Sequence, residues 1–456
     1  MQRRHRLLLP LAGFAAASIV SMGARANVPA TTQPSLDELR EQIRQLQDRI
    51  QQLEDQQHAP ERAAVTDETV HRVLADAHQR SKLMQMDSGV TGGWSEDRFF
   101  LASDDGNWLL VPHLLLQFRN NTNWTTDGDS IENGFEIRRA KFIFDGNAFT
   151  KQLFYHFQWE TTNGTGNVFL QDAMVRYDIG NGLLVAGGQY KTPWNKEETT
   201  GDARQLAAER SLLNFLIGGA HTDRVQGVSL IGDGKQYRAE LMVHDGYNTK
   251  NTNFQDHTGG DNFIATGGTD YGGAVRFDYY LSKKTKAVDD FTAMGNKEDL
   301  LVIGGGADYT QGGDNAVLFH TVDAQWENTH GLALYGAFVG AYRSLGTGAA
   351  GGSPPAGDFY DWGVLAQAGY LFTDKLELFA RYDYTRLDED ALPAGATHDV
   401  HEITVGTNYY FYKQNVRFTL DLTWLPNGSP VDAPGLDIVS GTDNEFVLRG
   451  QMQLYL

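Results

Sequence analysis

Sixteen stretches of this chain alternate apolar and polar side chains with a period of two, and the connections between them run alternately short and long. The stretches are 109–119, 135–145, 152–160, 168–179, 182–191, 224–232, 235–244, 270–281, 299–309, 316–327, 331–343, 361–372, 375–387, 400–411, 415–425 and 444–456. Short connections fall at 146–151, 180–181, 233–234, 328–330, 373–374 and 412–414, and long ones at 120–134, 192–223, 245–269, 344–360, 388–399 and 426–443. A strand rises about 3.3 Å per residue, so about nine to eleven tilted residues cover the ~25 Å apolar belt of an outer membrane. Bacterial transmembrane barrels place short turns on one side of that belt and long loops on the other. The pattern predicts an all-β, 16-stranded antiparallel transmembrane β-barrel over 108–456. Two connections depart from it: 282–298 holds a turn position but is long, and 310–315 holds a loop position but is short.

Within each stretch the two faces differ in chemistry. In QLFYHFQWE, Leu153, Tyr155, Phe157 and Trp159 oppose His156, Gln158 and Glu160; in the 375–387 stretch, Leu378, Ala380, Tyr382 and Tyr384 oppose Glu377, Arg381 and Asp383. In NVRFTLDLTWL, Val416, Phe418, Leu420, Leu422 and Trp424 oppose Arg417 and Asp421. A soluble sandwich alternates in the same way but turns its apolar rows inward. Charges on most polar rows, Tyr and Trp at strand ends and the loop asymmetry favour the barrel, with apolar rows toward lipid. The last stretch, NEFVLRGQMQLYL, carries Phe446, Leu448, Met452, Leu454 and Leu456 on one face and resembles a terminal assembly strand.

The start of the chain has a different organisation. Residues 1–26 have a basic beginning (Arg3, Arg4, Arg6), an apolar run over 7–20 and a closing Ala24-Arg25-Ala26, the layout of a secretory signal peptide. The run is shorter than the ~20 residues a spanning helix needs. Residues 27–58 are a linker and a heptad helix, with Leu36, Ile43 and Ile50 at a and Leu39, Leu46 and Leu53 at d. Such a seam reads as a short oligomerising coiled coil, and Ile at a with Leu at d leans toward two strands. Residues 59–107 read as a further linker. Removing the four signal arginines takes the net charge from −20 to −24, which argues against nucleic acid and acidic lipid surfaces as partners. The chain has no cysteine, so its closure holds without disulfides.

The stretch FEIRRAKFIFD (135–145) sets three basic side chains among aromatics and isoleucines. Strict alternation puts Ala140, Phe142 and Phe144 on one face with Glu136 and Arg138, and Phe135, Ile137, Arg139, Lys141 and Ile143 on the other. A basic side chain facing lipid at mid-depth costs about 2–4 kcal/mol. Arg139 and Lys141 are therefore expected in the lumen, with Arg138 near the loop end of the outward row, in reach of headgroups, a neighbouring subunit or the rim. Further basic lumen candidates are Arg176, Lys191, Arg224, Arg238 and Arg276; Glu160, Asp172, Asp178, Glu240, Asp278, Asp323, Glu377, Asp383, Asp421 and Glu445 interleave with them.

FEIRRAKFIFDGNAF resembles the paired-arginine second strand of the phosphate-selective porins (porin O and P). QYKTPWNKEETTGDARQLAAERSLLNFL resembles the strand and inward-folded third loop that follow in that family, and the similarity runs from about Trp108 to Leu456. The resemblance implies a sixteen-stranded homotrimeric barrel of a Gram-negative outer membrane that passes anions, phosphate above all, over lumen arginines and lysines. By position, Arg138 and Arg139 match the family's paired arginines, and Glu209 and Arg210 match its third-loop Glu-Arg. Two features depart from the family pattern. The first strand reads VPHLLLQF, with His113 where a basic residue is common, and TQGGDN offers no counterpart to the fifth-loop arginines.

The functional expectation is an outer-membrane porin for passive diffusion of small ions and solutes. Its expected pore-lining and anion-binding residues are Arg138, Arg139, Lys141, Arg176, Lys191 and Arg238. The constriction loop, 192–223, is expected to act through Lys196, Arg204, Glu209 and Arg210, beside Lys191. The interleaved acids leave a general or cation-preferring pore open beside an anion-preferring one, because rings of Arg and Lys select anions and rings of Asp and Glu select cations. A barrel enzyme or adhesin is the rival class; a lipase-type barrel needs Ser and His on neighbouring outward positions, and no such pair stands out. THDVHE brings His398, His401 and Glu402 together without the HExxH spacing, and DGDSIENG lacks the calcium-loop pattern. No catalytic residue, metal or cofactor is expected.

Overall fold

The computed structural model describes residues 89–95, 98–126, 131–253, 268–346, 355–441 and 444–456. The signal-like start, the heptad helix and most of the 59–107 stretch lie outside them. The strands are β1 (Val90–Ser95), β2 (Arg98–Ser103), β3 (Leu109–Thr125), β4 (Ile131–Asn147), β5 (Leu153–Thr161), β6 (Val168–Gly180), β7 (Leu183–Lys191), β8 (Arg224–Asp233), β9 (Tyr237–His244) and β10 (Tyr271–Tyr280). They continue as β11 (Leu300–Gly312), β12 (Asn315–Glu327), β13 (Leu332–Leu345), β14 (Gly357–Thr373), β15 (Leu376–Arg386), β16 (Asp399–Tyr412), β17 (Val416–Leu425) and β18 (Glu445–Tyr455). From β3 to β18 each strand pairs antiparallel with the next. The ring closes between β18 and β3, from Glu445 opposite Thr125 to Tyr455 opposite Leu115. The result is a closed 16-stranded barrel, with the segments in the order expected from the alternation.

Sequence and structure differ at the margins. The 120–134 stretch, expected as loop, is mostly strand: β3 and β4 stay paired as far as Trp124 opposite Ile131. The polar side chains there hold each other, with the Asn133 amide donating to Asn120, Thr122 and the Asn121 carbonyl. The 59–107 stretch holds a hairpin, β1–β2, whose Leu101 and Ala102 pair with Leu110 and Leu109. Its six-residue strands are too short to cross the apolar belt, so a search for spanning segments passes over them. Both exceptions to the connection rule are present: β11 and β12 join across Gly313 and Asp314, whereas nineteen residues join β10 to β11.

Outside and inside follow the alternation. Leu378, Tyr382, Phe418, Leu420 and Leu448 are exposed, whereas Glu377, Arg381, Asp383, Arg417, Asp421 and Arg449 are buried. Such an apolar exterior suits lipid, the opposite of a sandwich. Aromatic rings gather at both ends of the wall, as in the interfacial girdles of such barrels. On the loop side Trp124, Phe446 and Trp424 stack across β3, β18 and β17, centroids 5.4 and 6.1 Å apart, over the closing seam. On the turn side lie Tyr237, Tyr279, Tyr370, Tyr409 and Phe411.

The third loop, 192–223, folds into the barrel interior. It carries three short helices, α1 (Lys196–Thr199), α2 (Leu212–Ile217) and α3 (Gly219–Thr222). Asn195 and Ser211 start α1 and α2, their side-chain oxygens accepting the Glu198 and Asn214 amide N–H groups. Trp194, Leu206, Leu212, Leu213 and Ile217 pack in one apolar cluster with inward residues of the far wall, among them Phe319, Val339, Leu365 and Phe379. The loop needs small residues in the wall at two close approaches. A Cβ on Gly306 would lie 2.4 Å from the Trp194 carbonyl oxygen, and one on Gly363 would lie 2.4 Å from the Leu213 side chain. Gly306→Val is expected to push the loop off the wall, an overpacking cost of about 1–3 kcal/mol. Heat-dependent gel mobility of the folded barrel checks this: the variant loses its compact band at lower temperature, and Gly305→Ala, on the opposite face, does not.

Candidate functional site

One residue of β4 explains how paired arginines come to face the same way. Gln117 of β3 pairs with Arg139, and the next residue, Phe118, pairs with Ile137, so Arg138 is the extra residue of a β-bulge. A bulge places two residues of one strand against one of its partner and shifts the alternation beyond it. The expected facing of 135–138 is therefore corrected. Phe135 and Ile137 point outward, at 73% and 55% exposure, and Glu136 turns inward to Arg119. Arg138 joins Arg139 on the lumen side rather than reaching for headgroups or the rim. Strict period two cannot register an inserted residue, and so the sequence placed these four side chains on the wrong faces.

Both arginines meet Glu209 of the third loop. Its carboxylate accepts from Arg138 Nε at 2.7 Å, Arg139 Nη2 at 2.7 Å and Arg119 Nη1 at 2.6 Å. Seven residues earlier in the same loop, Asp202 lies 2.5 Å from Lys141 Nζ and 2.6 Å from Arg210 Nη1. The basic row continues outward in matched pairs. Arg119 also reaches Glu136 at 2.6 Å and Asp437 at 2.8 Å, Lys141 reaches Glu160 at 3.3 Å, and Lys191 reaches Glu198 at 2.5 Å. Arg449 joins through Asp437 at 3.3 Å and meets Asp421 at 3.1 Å. Seven cations (Arg119, Arg138, Arg139, Lys141, Lys191, Arg210, Arg449) thus face seven carboxylates (Glu136, Glu160, Glu198, Asp202, Glu209, Asp421, Asp437), and the cluster carries no net charge. A second bulge, at Gln171 of β6, turns Gln171 and Asp172 inward together. Gln171 accepts from Lys141 at 2.9 Å, and Asp172 pairs with Arg224 at 3.2 Å.

The electrostatics of the loop carboxylates follow from these neighbours. Burial alone would raise the Glu209 carboxyl, but Arg138, Arg139 and Arg119 outweigh it and hold it far below the usual carboxylate range. Asp202 behaves alike: burial pushes it up, and Lys141, Arg139 and Arg210 pull it well down. Both stay ionised where their partners are charged.

The same stretch of the loop is also held through its backbone groups. Asp421, Glu402 and Asp383 accept the amide N–H groups of Ala208 (2.9 Å), Leu212 (2.5 Å) and Leu213 (3.3 Å). Arg381 donates to the Glu209 carbonyl at 2.8 Å and pairs with Glu402 at 2.5 Å. Asn408 donates to the Leu206 carbonyl at 2.9 Å. The loop is thus tied ionically to β3 and β4, by hydrogen bonds to β15–β17, and by apolar packing to the inward rows of β12–β15 among others.

The other expected residues lie outside this cluster. Arg204 rests over the Tyr455 ring, 5.6 Å from its centroid, and no carboxylate pairs with it among the described residues. Arg176 lies 5.3 Å from the Phe154 centroid. Arg238 is one-third exposed and 3.3 Å from Glu240. Lys196 donates to the Val288 carbonyl, in the long connection between β10 and β11. His401 stacks on the outward Tyr382 ring, while Glu402 faces inward, so the THDVHE side chains diverge. Sequence reasoning missed Arg119, Asp202 and Asp437. The first had a visible signal, since the 109–119 stretch ends QFR and so carries a basic residue that His113 does not supply.

A sequence profile described as phosphate-selective porin O and P matches residues 118–455. No curated protein of similar sequence matches the chain. Among solved structures the fold is similar to Salmonella typhi OmpF in complex with daunomycin, at 14% identity over 76% of this chain and 98% of that one, TM-score 0.52. It is also similar to the high-pH structure of Pseudomonas putida OprB, at 9% identity over 76% and 94%, TM-score 0.50. The outer membrane channel DcaP of Acinetobacter baumannii aligns at 13% identity over 80% and 99%, TM-score 0.49. The profile spans all but the first half-strand of the barrel, including the bulged arginines and the loop that meets them, and the chain belongs to the phosphate-selective porin O and P family of outer-membrane diffusion channels.

Proposed function

We propose that the third loop is the constriction of this porin, and that Arg138, Arg139, Lys141, Lys191 and Arg210 hold it across the lumen instead of serving as open anion sites. The carrying observation is the convergence of Arg119, Arg138 and Arg139 on Glu209. A guanidinium already bound to a carboxylate has few donors left for a passing anion. The matched charges favour a general diffusion pore for small ions and polar solutes, with weak selectivity at the loop. An anion preference, phosphate included, is favoured by one observation: Arg204 and Arg176 lie over aromatic rings without a paired carboxylate among the described residues. The reading includes export by the N-terminal signal and assembly as a homotrimer, which rest on the leader-like start and on the family resemblance.

Planar-bilayer recordings under a salt gradient separate the roles. Arg204→Ala is expected to lower anion-over-cation permeability by about twofold, and Arg139→Ala to leave the reversal potential within error of wild type. A reversal potential that collapses in Arg139→Ala alone would make the paired arginines a selectivity site. Glu209→Gln removes the carboxylate on which three buried guanidiniums converge and leaves Arg138 without an ion pair among the described residues, a loss of about 3–5 kcal/mol. Its expected signature is a noisier and larger single-channel current.

The pH response follows from the lowered Glu209 carboxyl. Its folded value lies below the unfolded one, so its stabilisation is complete above the ordinary carboxylate range near about pH 4.3. That stabilisation is lost only as pH falls through the lowered value. The ratio of Glu209→Gln to wild-type conductance at constant ionic strength is expected to stay constant from about pH 8 to about pH 4.5, because groups such as Asp290, whose carboxyl burial raises to about 6, act alike in both channels. A ratio that closes near pH 6 would contradict the clamp.

A further inference from the structure

On the turn side of the barrel, six connections are two to five residues long, and the seventh, 281–299 between β10 and β11, has nineteen. A hairpin needs no such length, and long connections in compact folds carry a role. This one turns inward. After a 3₁₀ turn at Lys286–Asp289, Phe291, Thr292 and Ala293 are buried. The Phe291 ring lies 4.7 Å from that of Tyr335 on β13, inside the apolar cluster that seats the third loop. Thr292 Oγ1 donates to Glu377 of β15 at 2.6 Å. Gln325 of β12 donates to the carbonyls of Ala287 (3.2 Å) and Asp290 (2.6 Å), and Asn296 donates to Glu327 at 2.7 Å. Gln414, in the turn between β16 and β17, donates to Asp290 Oδ2 at 2.9 Å.

Tyr335, Glu377, Gln325 and Glu327 are all buried side chains of the inward rows, while Leu334 and Leu378 beside them are exposed. The segment therefore reaches from the β10–β11 edge across the inner wall to the β16–β17 turn. There it meets the third loop, because Lys196 of that loop donates to the Val288 carbonyl. Asp289 is exposed and within electrostatic reach of Lys196.

We propose that residues 286–296 form a second constriction, in series with the third loop and entered from the turn side, with Asp289 on its open edge. The proposal rests on the diffusion reading above. Solute that clears the third loop then passes a second narrowing before it reaches the turn-side compartment. Two comparable resistances in series mean that removing one nearly doubles the current, less what access to the pore mouths takes away.

The test is single-channel recording of the full chain in planar bilayers, with two variants. Replacing 286–296 by Asn-Gly is expected to raise conductance by about 1.5-fold or more. In the second variant, Asp289→Cys supplies the sole thiol, since the chain has no cysteine. A bulky thiol-reactive cation added from the turn side is then expected to lower the open-channel current by about one-third or more. An Asp289→Cys channel whose current is unchanged after complete labelling overturns the second constriction, whether or not the deletion variant folds. Unchanged conductance in a folded deletion variant overturns it equally. Wild-type protein giving no step currents would overturn the diffusion reading itself, a result distinct from both.

Discussion

Three guanidiniums converge on the carboxylate of Glu209, and the arrangement of the barrel interior depends on that meeting. Removing charges from water is costly, and a lone buried pair often fails to recover the cost. Here two of the three guanidiniums have further counter-charges: Arg119 also meets Glu136 and Asp437, and Arg139 also meets Asp202, with the neutral Gln117 carbonyl as a further acceptor. The network closes on itself without net charge. It anchors one side of the third loop to β3 and β4, and the bulge at Arg138 brings the second arginine of the pair into it.

The other side of the loop is held by different physics. The inward rows of β12–β18 are not uniformly polar; Val317, Phe319, Val339, Leu365, Phe379, Val400, Leu425 and Val447 are buried there. These residues form a dry patch that backs Leu212, Leu213, Leu216 and Ile217. The barrel therefore has a lipid-facing apolar surface outside and a conventional apolar core inside, against one part of its wall. The 281–299 connection uses the same patch through Phe291. Two elements from opposite ends of the cylinder thus share one seat.

Much of the wall was legible in the sequence. Strand order, the inward placing of Glu377, Arg381, Asp383, Arg417 and Asp421, and the two irregular connections follow from counting apolar positions. The candidate site was legible in part. Glu209, Arg210, Arg138 and Arg139 were named, but as lining and constriction residues, without the clamp that joins them. Asp202 gave no signal, because a single acid in a polar loop looks the same whether it is solvated or buried against a lysine. Asp437 lies in another long loop, and its proximity to Arg119 depends on barrel closure.

The sequence by itself determined the closed sixteen-stranded wall and which face of each regular strand meets lipid. That information is local, since period two couples each residue only to its neighbours and to the cost of exposing charge to hydrocarbon. Only the tertiary structure decided that Arg138 turns inward, that the basic row is neutralised by Glu209 and Asp202, and that a turn-side connection enters the lumen. Those outcomes depend on an inserted residue that resets the alternation and on carboxylates brought from 61 to 90 residues away. No local pattern encodes such a separation; the loop's path through the closed barrel sets it.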